Sequence, residues 1–415
     1  MNSKRSLVSG MATVVLALVL VSCATTPTAT VPPTTVSPTE TTGATAIARP
    51  TETPAQAATS ASATAPSTSG VDEAKQLVKN LMQPPQFQAP GPTMAIGDTM
   101  KGKKIYTIVD GINYQFVQNF LAGLTDAAKL VGMEVVAVDG AGDISKASTL
   151  IEQAIGQKAN VIITEAFPAE QLSAAIKEAK SAGIPVIEVS AHDPQLPSSN
   201  LLDMGVKGIV AFCYSCAGKQ MAQYAVAESN GHVNAVLFNV PEIGTAGVEK
   251  DGFVSELARL SPTSKVRVVD APLAQWNDQL PTLTSSALQS DPTVNYLVPL
   301  YDSMVSLIKP QVHALGMESK VQIATYNGTL EGLQAIHNND VVAADIGGMN
   351  HWLGWATMDQ TLRVLSGSGA VADEKLPHRL FCKEDISEVD LNKDETSWYG
   401  NIDLQAEYSK LWGMK

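Results

Sequence analysis

Two cysteines separated by two residues, Cys213 and Cys216, are the residues of this chain with the clearest chemical potential. This spacing suits a structural disulfide, a redox-active dithiol or half of a zinc site. Cys382 lies far downstream without a neighbouring cysteine, and His378 shortly precedes it. Together with Cys213 and Cys216, these two residues could supply the four ligands of a zinc site. Free thiols are a further alternative. In an extracytoplasmic protein we favour a disulfide, which leaves at least one of the three cysteines unpaired.

Two other patterns resemble cofactor motifs and depart from them. Residues 140–142 (GAG) follow an apolar run as a dinucleotide-binding turn would, but Ser145 stands where the third glycine belongs, so we expect a tight turn. Residues 390–394 (DLNKD) resemble the start of a calcium loop, but Glu395 stands where that loop needs glycine. The sequence has no phosphate-binding loop, HExxH or GxSxG motif. We therefore predict no enzyme activity, no cofactor and no metal.

The fourth cysteine, Cys23, follows a short apolar run. Lys4 and Arg5 precede residues 11–21, which are almost wholly apolar but too few to span a bilayer. The letters LVSC that end at Cys23 resemble the bacterial lipobox. That resemblance implies a signal peptide over residues 1–22 and a lipid anchor on Cys23.

The segment after Cys23 is predicted to be a disordered tether. Residues 23–70 consist mostly of Thr, Ala, Pro and Ser, which cannot bury enough apolar surface to fold. A folded body would then stand away from the outer face of the cytoplasmic membrane, on the periplasmic side where an outer membrane exists. The net charge of −13 and the pI near 4.9 argue against nucleic acid as a partner.

The rest of the chain alternates short apolar runs with amphipathic stretches. Runs such as residues 104–109 (KIYTIV) and 133–138 (MEVVAV) are continuously apolar, which is typical of parallel strands covered on both faces. Helical spacing follows each run, and the rhythm restarts after about residue 217. This order predicts an α/β protein with two doubly wound parallel-sheet lobes, whose ligand lies beyond the carboxyl ends of the strands.

Several blocks of sequence, in their order and spacing, resemble the type I periplasmic binding proteins, in particular the ribose-binding-like sugar branch. The blocks are KIYTIVDGINYQFVQNFLAGLTDAAKLVGMEVV, AGKQMAQY, GVEKDGFVSEL, DPTVNYLVPLYDSM and TYNGTLEGLQAI, within roughly residues 100–390. The resemblance implies two lobes joined by a three-strand hinge. Its domains would be a helix and lead-in over 71–103, a first lobe of 104–212 plus 349–380, and a second lobe of 213–348 plus 381–415.

The resemblance also implies a function. Such proteins capture a small polar solute between their lobes and deliver it to the permease of an ABC importer. We expect a monomeric binder of a sugar or sugar-like compound. Two alternatives remain: a sensory protein that presents its ligand to a membrane receptor, and a binder of a cationic, amine-bearing small molecule.

The family's ligand-binding positions fall on polar and aromatic residues of this chain. One arginine-containing pair of the family is replaced by Ser190-Ala191, and Glu249 stands where an arginine is usual. These departures make the predicted site more acidic than a typical sugar site. The positions implied are Asp110, Asn113, Tyr114, Phe116, Ser190, His192, Ser215, Glu249, Trp276, Tyr301, Asp302, Asn327, Asp345 and Asn350.

The resemblance finally implies where the chain crosses between lobes: near 211–214, 347–350 and 380–383. Cys213 and Cys382 would then lie on neighbouring hinge strands. The expectation that follows is a Cys213–Cys382 or Cys216–Cys382 disulfide that limits hinge motion.

Overall fold

The structure is a computed structural model that describes residues 68–196, 199–400 and 402–414. The predicted signal peptide, Cys23 and nearly all of the predicted tether lie outside the described residues. Among the residues that are described, no helix is both long and apolar enough to cross a membrane.

The strands form two sheets. In the first sheet the order is β2-β1-β3-β4-β5, and all neighbouring strands are parallel. In the second the order is β11-β10-β9-β8-β6-β7, and only β11 runs antiparallel to its neighbour. The strands are β1 (Lys104–Val109), β2 (Glu134–Asp139), β3 (Val161–Glu165), β4 (Val186–Val189), β5 (Val206–Val210), β6 (Asn234–Asn239), β7 (Lys265–Asp270), β8 (Tyr296–Pro299), β9 (Gln322–Asn327), β10 (Val342–Gly348) and β11 (His378–Cys382).

Helices cover both sheets, as the continuous burial of β3, β4 and β10 requires. The predicted α/β class with two doubly wound lobes is confirmed. The helices are α1 (Thr68–Leu81), α2 (Gln115–Val131), α3 (Ile144–Gly156), α4 (Ser173–Ser181), α5 (Ser199–Met204), α6 (Tyr214–Glu228), α7 (Gly244–Leu260), α8 (Trp276–Ser290), α9 (Asp302–Ala314), α10 (Leu330–His337), α11 (Asn350–Ser366), α12 (Glu395–Trp398) and α13 (Leu404–Leu411).

The turn between β2 and α3 shows how local chemistry fixes this architecture. Ala141 and Gly142 both have positive φ angles, 54° and 64°, and the Asp143 side chain accepts hydrogen bonds from the amides of Ser145 and Lys146. Asp143 therefore caps the helix in the way an N-cap carboxylate does. The GAG segment is a tight turn that ends at this cap.

The chain crosses between lobes close to two of the predicted places. Residues 211–213 connect β5 to α6, and Met349 connects β10 to α11. The third predicted crossing, at 380–383, is wrong because Leu380 lies inside β11, paired with Ile346 of the second sheet. Val371 still exchanges two hydrogen bonds with Gln360 of α11, so the third crossing falls between Val371 and His378.

The segments near the two ends of the described chain each pass from the second lobe to the first. Helix α1 packs on α6, α7 and β11 of the second lobe. Phe87, only a few residues later, stacks against Trp352 of α11 in the first lobe. At the other end, α13 packs on α11. The last residues therefore pack with the first lobe, whereas the sequence assigned residues 381–415 to the second.

Candidate functional site

Asp110 and Glu165 form a carboxyl pair where the adjacent strands β1 and β3 end. The Asp110 amide donates to Glu165 Oε2 at 3.4 Å. Glu165 is fully buried, and Asp110 Oδ1 is buried without a hydrogen-bond partner among the described residues. Burial raises the pKa of Asp110, and burial together with the Asp110 charge raises the pKa of Glu165 well above its ordinary value. The pair can therefore hold a shared proton and both donate to and accept from a ligand.

Tyr214, the first residue of α6, lies between the acids of the two lobes. Its hydroxyl donates to the carbonyl oxygen of Ser190, which follows β4 in the first lobe, at 3.3 Å. Burial raises the pKa of Tyr214, and the charges of Glu165 and Glu249 raise it further. Tyr214 thus lies on α6 of the second lobe, and its hydroxyl group contacts the first lobe.

A second hydrogen bond joins the lobes beside Tyr214. Asp193, buried in the loop after β4, accepts a hydrogen bond from the Ser215 amide at 2.6 Å. Ser215 lies in the first turn of α6, where unpaired amides and the helix dipole favour a carboxylate. Tyr214 and Ser215 therefore both donate to the first-lobe loop after β4, Tyr214 to a backbone carbonyl and Ser215 to a side-chain carboxylate.

Glu249 is the acid that the second lobe contributes. It lies on α7 and is fully buried, and neither carboxyl oxygen has a hydrogen-bond partner among the described residues. Burial raises its pKa well above the ordinary value, and the nearby charge of Asp302 acts in the same direction. The groups around it include Tyr214, Tyr301 and Tyr326, whose pKa values are raised in part by the Glu249 charge.

Two of the tyrosines on which the Glu249 charge acts, Tyr214 and Tyr326, pack against each other. Tyr326, in β9, packs edge-on against Tyr214 and against His378, with ring centroids 6.0 and 5.7 Å apart. Gln220 Oε1 lies 2.8 Å from His378 Nδ1, so Nδ1 donates and Nε2 is left buried without a partner. Burial lowers the pKa of His378 to about 4, which makes the imidazole neutral at pH 7. Rings and polar edges of this kind suit a hydroxylated ring or chain.

Three predicted ligand residues form a neighbouring group that shapes the end of β9. Asp302 Oδ2 accepts from both the amide and the hydroxyl of Thr329 at 2.8 Å, and Asp345 Oδ1 accepts from the Gly328 amide at 2.9 Å. Asn327 precedes this turn with a φ of 138°. The structure therefore gives Asp302 and Asp345 the task of holding the turn that carries Asn327.

His192 belongs to a different cluster. Its Nδ1 lies 2.5 Å from Glu188 Oε1 and its Nε2 lies 3.2 Å from Glu170 Oε1. The hydrogen bond to Glu188 raises the pKa of His192. The ligand atoms of the three residues lie within 4.8 Å of one another, as metal ligands can. However, the imidazole uses its two opposite nitrogens on two different carboxylates, which describes an ion-pair bridge better than a single metal site.

The remaining predicted residues make local contacts outside the groups described above. Tyr114 is 55% exposed and stacks on Phe116 with centroids 5.7 Å apart, in the loop and helix start after β1 that also hold Asn113. The Trp276 indole N–H donates to the Ala271 carbonyl at 2.9 Å. Asn350 is held at the start of α11 by Glu395 Oε1, which accepts from its amide.

The cysteine pairing differs from the prediction. Cys213 forms a disulfide with Cys216, with Cα atoms 5.1 Å apart, and Cys382 is a free, buried cysteine. The expected Cys213–Cys382 and Cys216–Cys382 pairings are wrong. Cys213 is the N-cap of α6, which brings Cys216 in the first helical turn within bonding distance. The disulfide therefore closes the helix turn that carries Tyr214 and Ser215.

Sequence reasoning missed Glu165, Tyr214, Tyr326 and Asp193 as candidate ligand or closure residues. Glu165 had a readable signal, since it is an acid placed directly after an apolar parallel strand. The other residues gave weaker signals, because their roles depend on how α6 and β9 approach the first lobe.

Comparison with known proteins agrees with this geometry. The sequence model of a family described as "Periplasmic binding protein domain" matches residues 105–369, well over half of the chain. The chain belongs to this family. Its members are substrate-binding proteins of ABC transporters rather than enzymes, and their family implies an extracytoplasmic location. The type I periplasmic binding protein fold and the sugar-branch resemblance are confirmed.

Curated relatives of this periplasmic binding protein include sugar and polyol binders. A ribose import binding protein of Bacillus subtilis is 27% identical over 28% of this chain, and the match spans only 36% of that relative. A xylitol-binding protein of Mycolicibacterium smegmatis is 24% identical over 62% of this chain and 70% of its own length. A D-apiose import binding protein of Paraburkholderia graminis is 25% identical over 52% of this chain and 66% of its own length.

Solved structures share the fold at lower identity. An Agrobacterium vitis solute-binding protein with bound allitol has a TM-score of 0.60 at 21% identity, covering 70% of this chain and 99% of that one. An Actinobacillus succinogenes protein with bound D-allose has a TM-score of 0.61 at 17% identity, covering 69% of this chain and 99% of that one. At these identities the likeness shows the fold alone.

Proposed function

We propose that this protein is an extracytoplasmic solute-binding lipoprotein that captures a sugar or polyol between its lobes and delivers it to an ABC import permease. The observation that supports this most directly is the convergence on Tyr214. Its hydroxyl donates to the Ser190 carbonyl of the first lobe, and the charges of Glu165 from the first lobe and Glu249 from the second both raise its pKa. A ligand held there would contact both lobes at once, which is how a hinged protein couples binding to closure.

The chemistry of these groups suits a polyhydroxylated solute. Hydroxyl groups need both donors and acceptors, which the Asp110–Glu165 pair and His378 supply. The rings of Tyr214 and Tyr326 supply apolar surface. Sugar and polyol names among the relatives and fold neighbours support the same class.

A thermal-shift screen of the full chain with Cys23 replaced by Ser tests the ligand class. A pentose, hexose or polyol at 100 times its dissociation constant should add about 2.7 kcal/mol to the free energy of unfolding. Y214A should abolish the shift, since it removes the residue shared by both lobes. The control is L202A, which removes an exposed side chain of α5 that is not among the predicted ligand-binding positions. Failure of every sugar and polyol to shift the protein would contradict the proposal.

Anchoring and delivery need separate tests. In cells, C23S should move the protein from the membrane fraction to the soluble extracytoplasmic fraction, whereas C382S, which removes the buried free cysteine, should leave it on the membrane. Uptake of the labelled solute should fall in a strain that lacks the protein. Unchanged uptake, with co-purification of a membrane receptor instead of permease subunits, would favour a sensory role.

A further inference from the structure

Several buried acids outside this site have a cation or backbone amides as partners. Asp359 pairs with Arg363, and Asp385 pairs with Arg379. Glu395 lacks a cation but accepts hydrogen bonds from two backbone amides at the start of α11. These buried carboxylates are thus compensated by a cation or by amides, as the cost of burying a charge requires. Glu374 also has both oxygens buried without a hydrogen-bond partner among the described residues, but the charge of Arg363 acts favourably on it.

Glu249 has neither form of compensation. Among the described residues, neither of its buried oxygens has a hydrogen-bond partner, and the charge of another acid, Asp302, acts on it. Within the described part of the chain, no lysine or arginine forms an ion pair or hydrogen bond with Glu249, Asp110 or Glu165. Both lobes therefore contribute acids to the site, and no described cation pairs with these three.

The surroundings of Glu249 suit a ligand cation. Tyr214 and Tyr326 pack edge-to-face with centroids 6.0 Å apart, and Glu249 acts electrostatically on both. Aromatic faces attract a positive charge, and an ammonium group beside a carboxylate forms a strong charge-assisted hydrogen bond. Hydroxyl groups of the same ligand would bond to the Asp110–Glu165 pair, which can donate as well as accept.

We propose that the solute carries a protonated amine as well as hydroxyl groups, as an amino sugar or amino polyol does, and that Glu249 binds the amine. This inference rests on the proposed function, because it assigns a chemical class to the solute of the same interlobe site. The competing arrangement is a neutral sugar whose hydroxyl oxygen accepts a hydrogen bond from a protonated Glu249.

Titration calorimetry of the full chain with C23S, using matched ligand sets, tests the proposal. Each set contains an aminated hexose, pentose or polyol, its hydroxyl parent and its N-acetyl derivative; D-glucosamine, D-glucose and N-acetyl-D-glucosamine form one set. In the set of the right size, we expect the aminated compound to bind at least tenfold more tightly than its parent. N-acetylation, which removes the charge, should abolish that advantage.

The variant E249Q keeps the size of the side chain and removes its charge. It should weaken binding of the aminated ligand at least tenfold and change binding of the hydroxyl parent by less than threefold. D251N is the matched control, because it removes a carboxylate from the exposed side of the same helix. It should leave both affinities within twofold of the unmodified protein.

The pH dependence of ligand affinity distinguishes a charged Glu249 that binds an amine from a protonated Glu249 that binds a neutral sugar. Affinity for an amine should rise with pH as Glu249 ionises, whereas affinity for a neutral ligand held by protonated Glu249 should fall. The Asp302 charge raises the pKa of Glu249, and the Glu249 charge in turn raises the pKa values of Tyr214, Tyr301 and Tyr326. The rise should disappear in E249Q, and a rise that persists would belong to Asp302 and contradict the assignment to Glu249.

Two outcomes would overturn the inference, and they are distinguishable. Hydroxyl parents that bind as tightly as their aminated forms would overturn the amine and leave the proposed sugar or polyol function standing. Absence of binding by aminated and hydroxyl compounds alike would overturn both.

Discussion

Asp193 and Ser215 connect the two lobes: the Asp193 carboxylate accepts a 2.6 Å hydrogen bond from the Ser215 amide at the start of α6. The same side chain accepts a second hydrogen bond from the amide of Gln195 at 2.7 Å, which orders its own loop. Any rearrangement that separates the loop after β4 from the start of α6 would break this bond, so we expect it to stabilise the arrangement seen here.

Replacing Asp193 by Ala should weaken solute binding about tenfold or more, because a hydrogen bond to a charged group contributes about 1.5–3 kcal/mol. Calorimetry measures the affinity, and small-angle scattering with saturating ligand measures closure. D193N is the matched variant, since its amide oxygen can still accept from Ser215, and it should lose less affinity. Equal affinity in the unmodified protein and D193A would show that this bond has no part in closure.

The Cys213–Cys216 disulfide closes the turn from which Tyr214 and Ser215 reach the first lobe. Reduction, or the double substitution C213S/C216S, should lower the free energy of unfolding by about 2 kcal/mol or less, since the closed loop is short. It should also weaken solute binding, because the turn loses its constraint. Urea denaturation and calorimetry measure the two effects.

Chemical mapping checks the pairing independently. After denaturation of the C23S chain without reductant, an alkylating reagent should modify Cys382 alone, and one tryptic peptide should hold both Cys213 and Cys216. Alkylation of Cys213 or Cys216 instead would reinstate a bond to Cys382.

The Asp302–Asp345 pair should make stability depend on pH. Burial raises the pKa of Asp302 to about 6 and that of Asp345 well above its ordinary value, where the Asp302 charge also contributes. Because the folded state binds these protons more tightly, the free energy of unfolding should fall as pH rises from about 4 towards 7.

The variant D345N should reduce this loss, because an amide can donate to the Asp302 carboxylate as a protonated acid would. Its side-chain oxygen can still accept from Gly328. Urea denaturation at intervals from pH 4 to 7.5 measures the effect, with the exposed D278N as the control. An unchanged pH profile in D345N would argue against this origin.

Arg363 should be among the residues most important for stability. It is 1% exposed, its Nε donates to Asp359 at 2.6 Å and its Nη1 donates to the Pro92 carbonyl at 3.2 Å. R363M leaves the buried Asp359 without its cation and should cost roughly 3–5 kcal/mol in urea denaturation. K129M breaks an exposed ion pair with Asp126 and should cost less than about 1 kcal/mol. Similar losses in the two variants would contradict this difference.

The sequence predicted the lobes better than the details between them. The strands could be read because runs such as KIYTIV are buried on both faces and leave a continuous apolar signal. The short β5 and the strand β11 were missed, because VKGIV contains a charge and a glycine, and HRLFC is antiparallel at a sheet edge.

Some features of the site could be suggested from the sequence, and others depend on three-dimensional contacts. Tyr301 and Glu249 were named because the sequence resembles a family, and their role in binding a ligand stays a prediction. The roles of Asp302 and Asp345 could not, because their acceptor atoms are taken by a turn whose path depends on Asn327. The cysteine pairing failed because the prediction weighed hinge proximity over the closer partner on the same helix turn.

Helix α1 is held on the second lobe, although the chain that follows it packs on the first lobe. Its Lys75 and Glu73 bond to Asn230 and Arg259 of the second lobe, while Phe87 already lies on the first. Residues 82–86 therefore link a helix bound to the second lobe with a ring packed on the first, so any separation of the lobes must be accommodated by this segment of five residues as well as by the hinge.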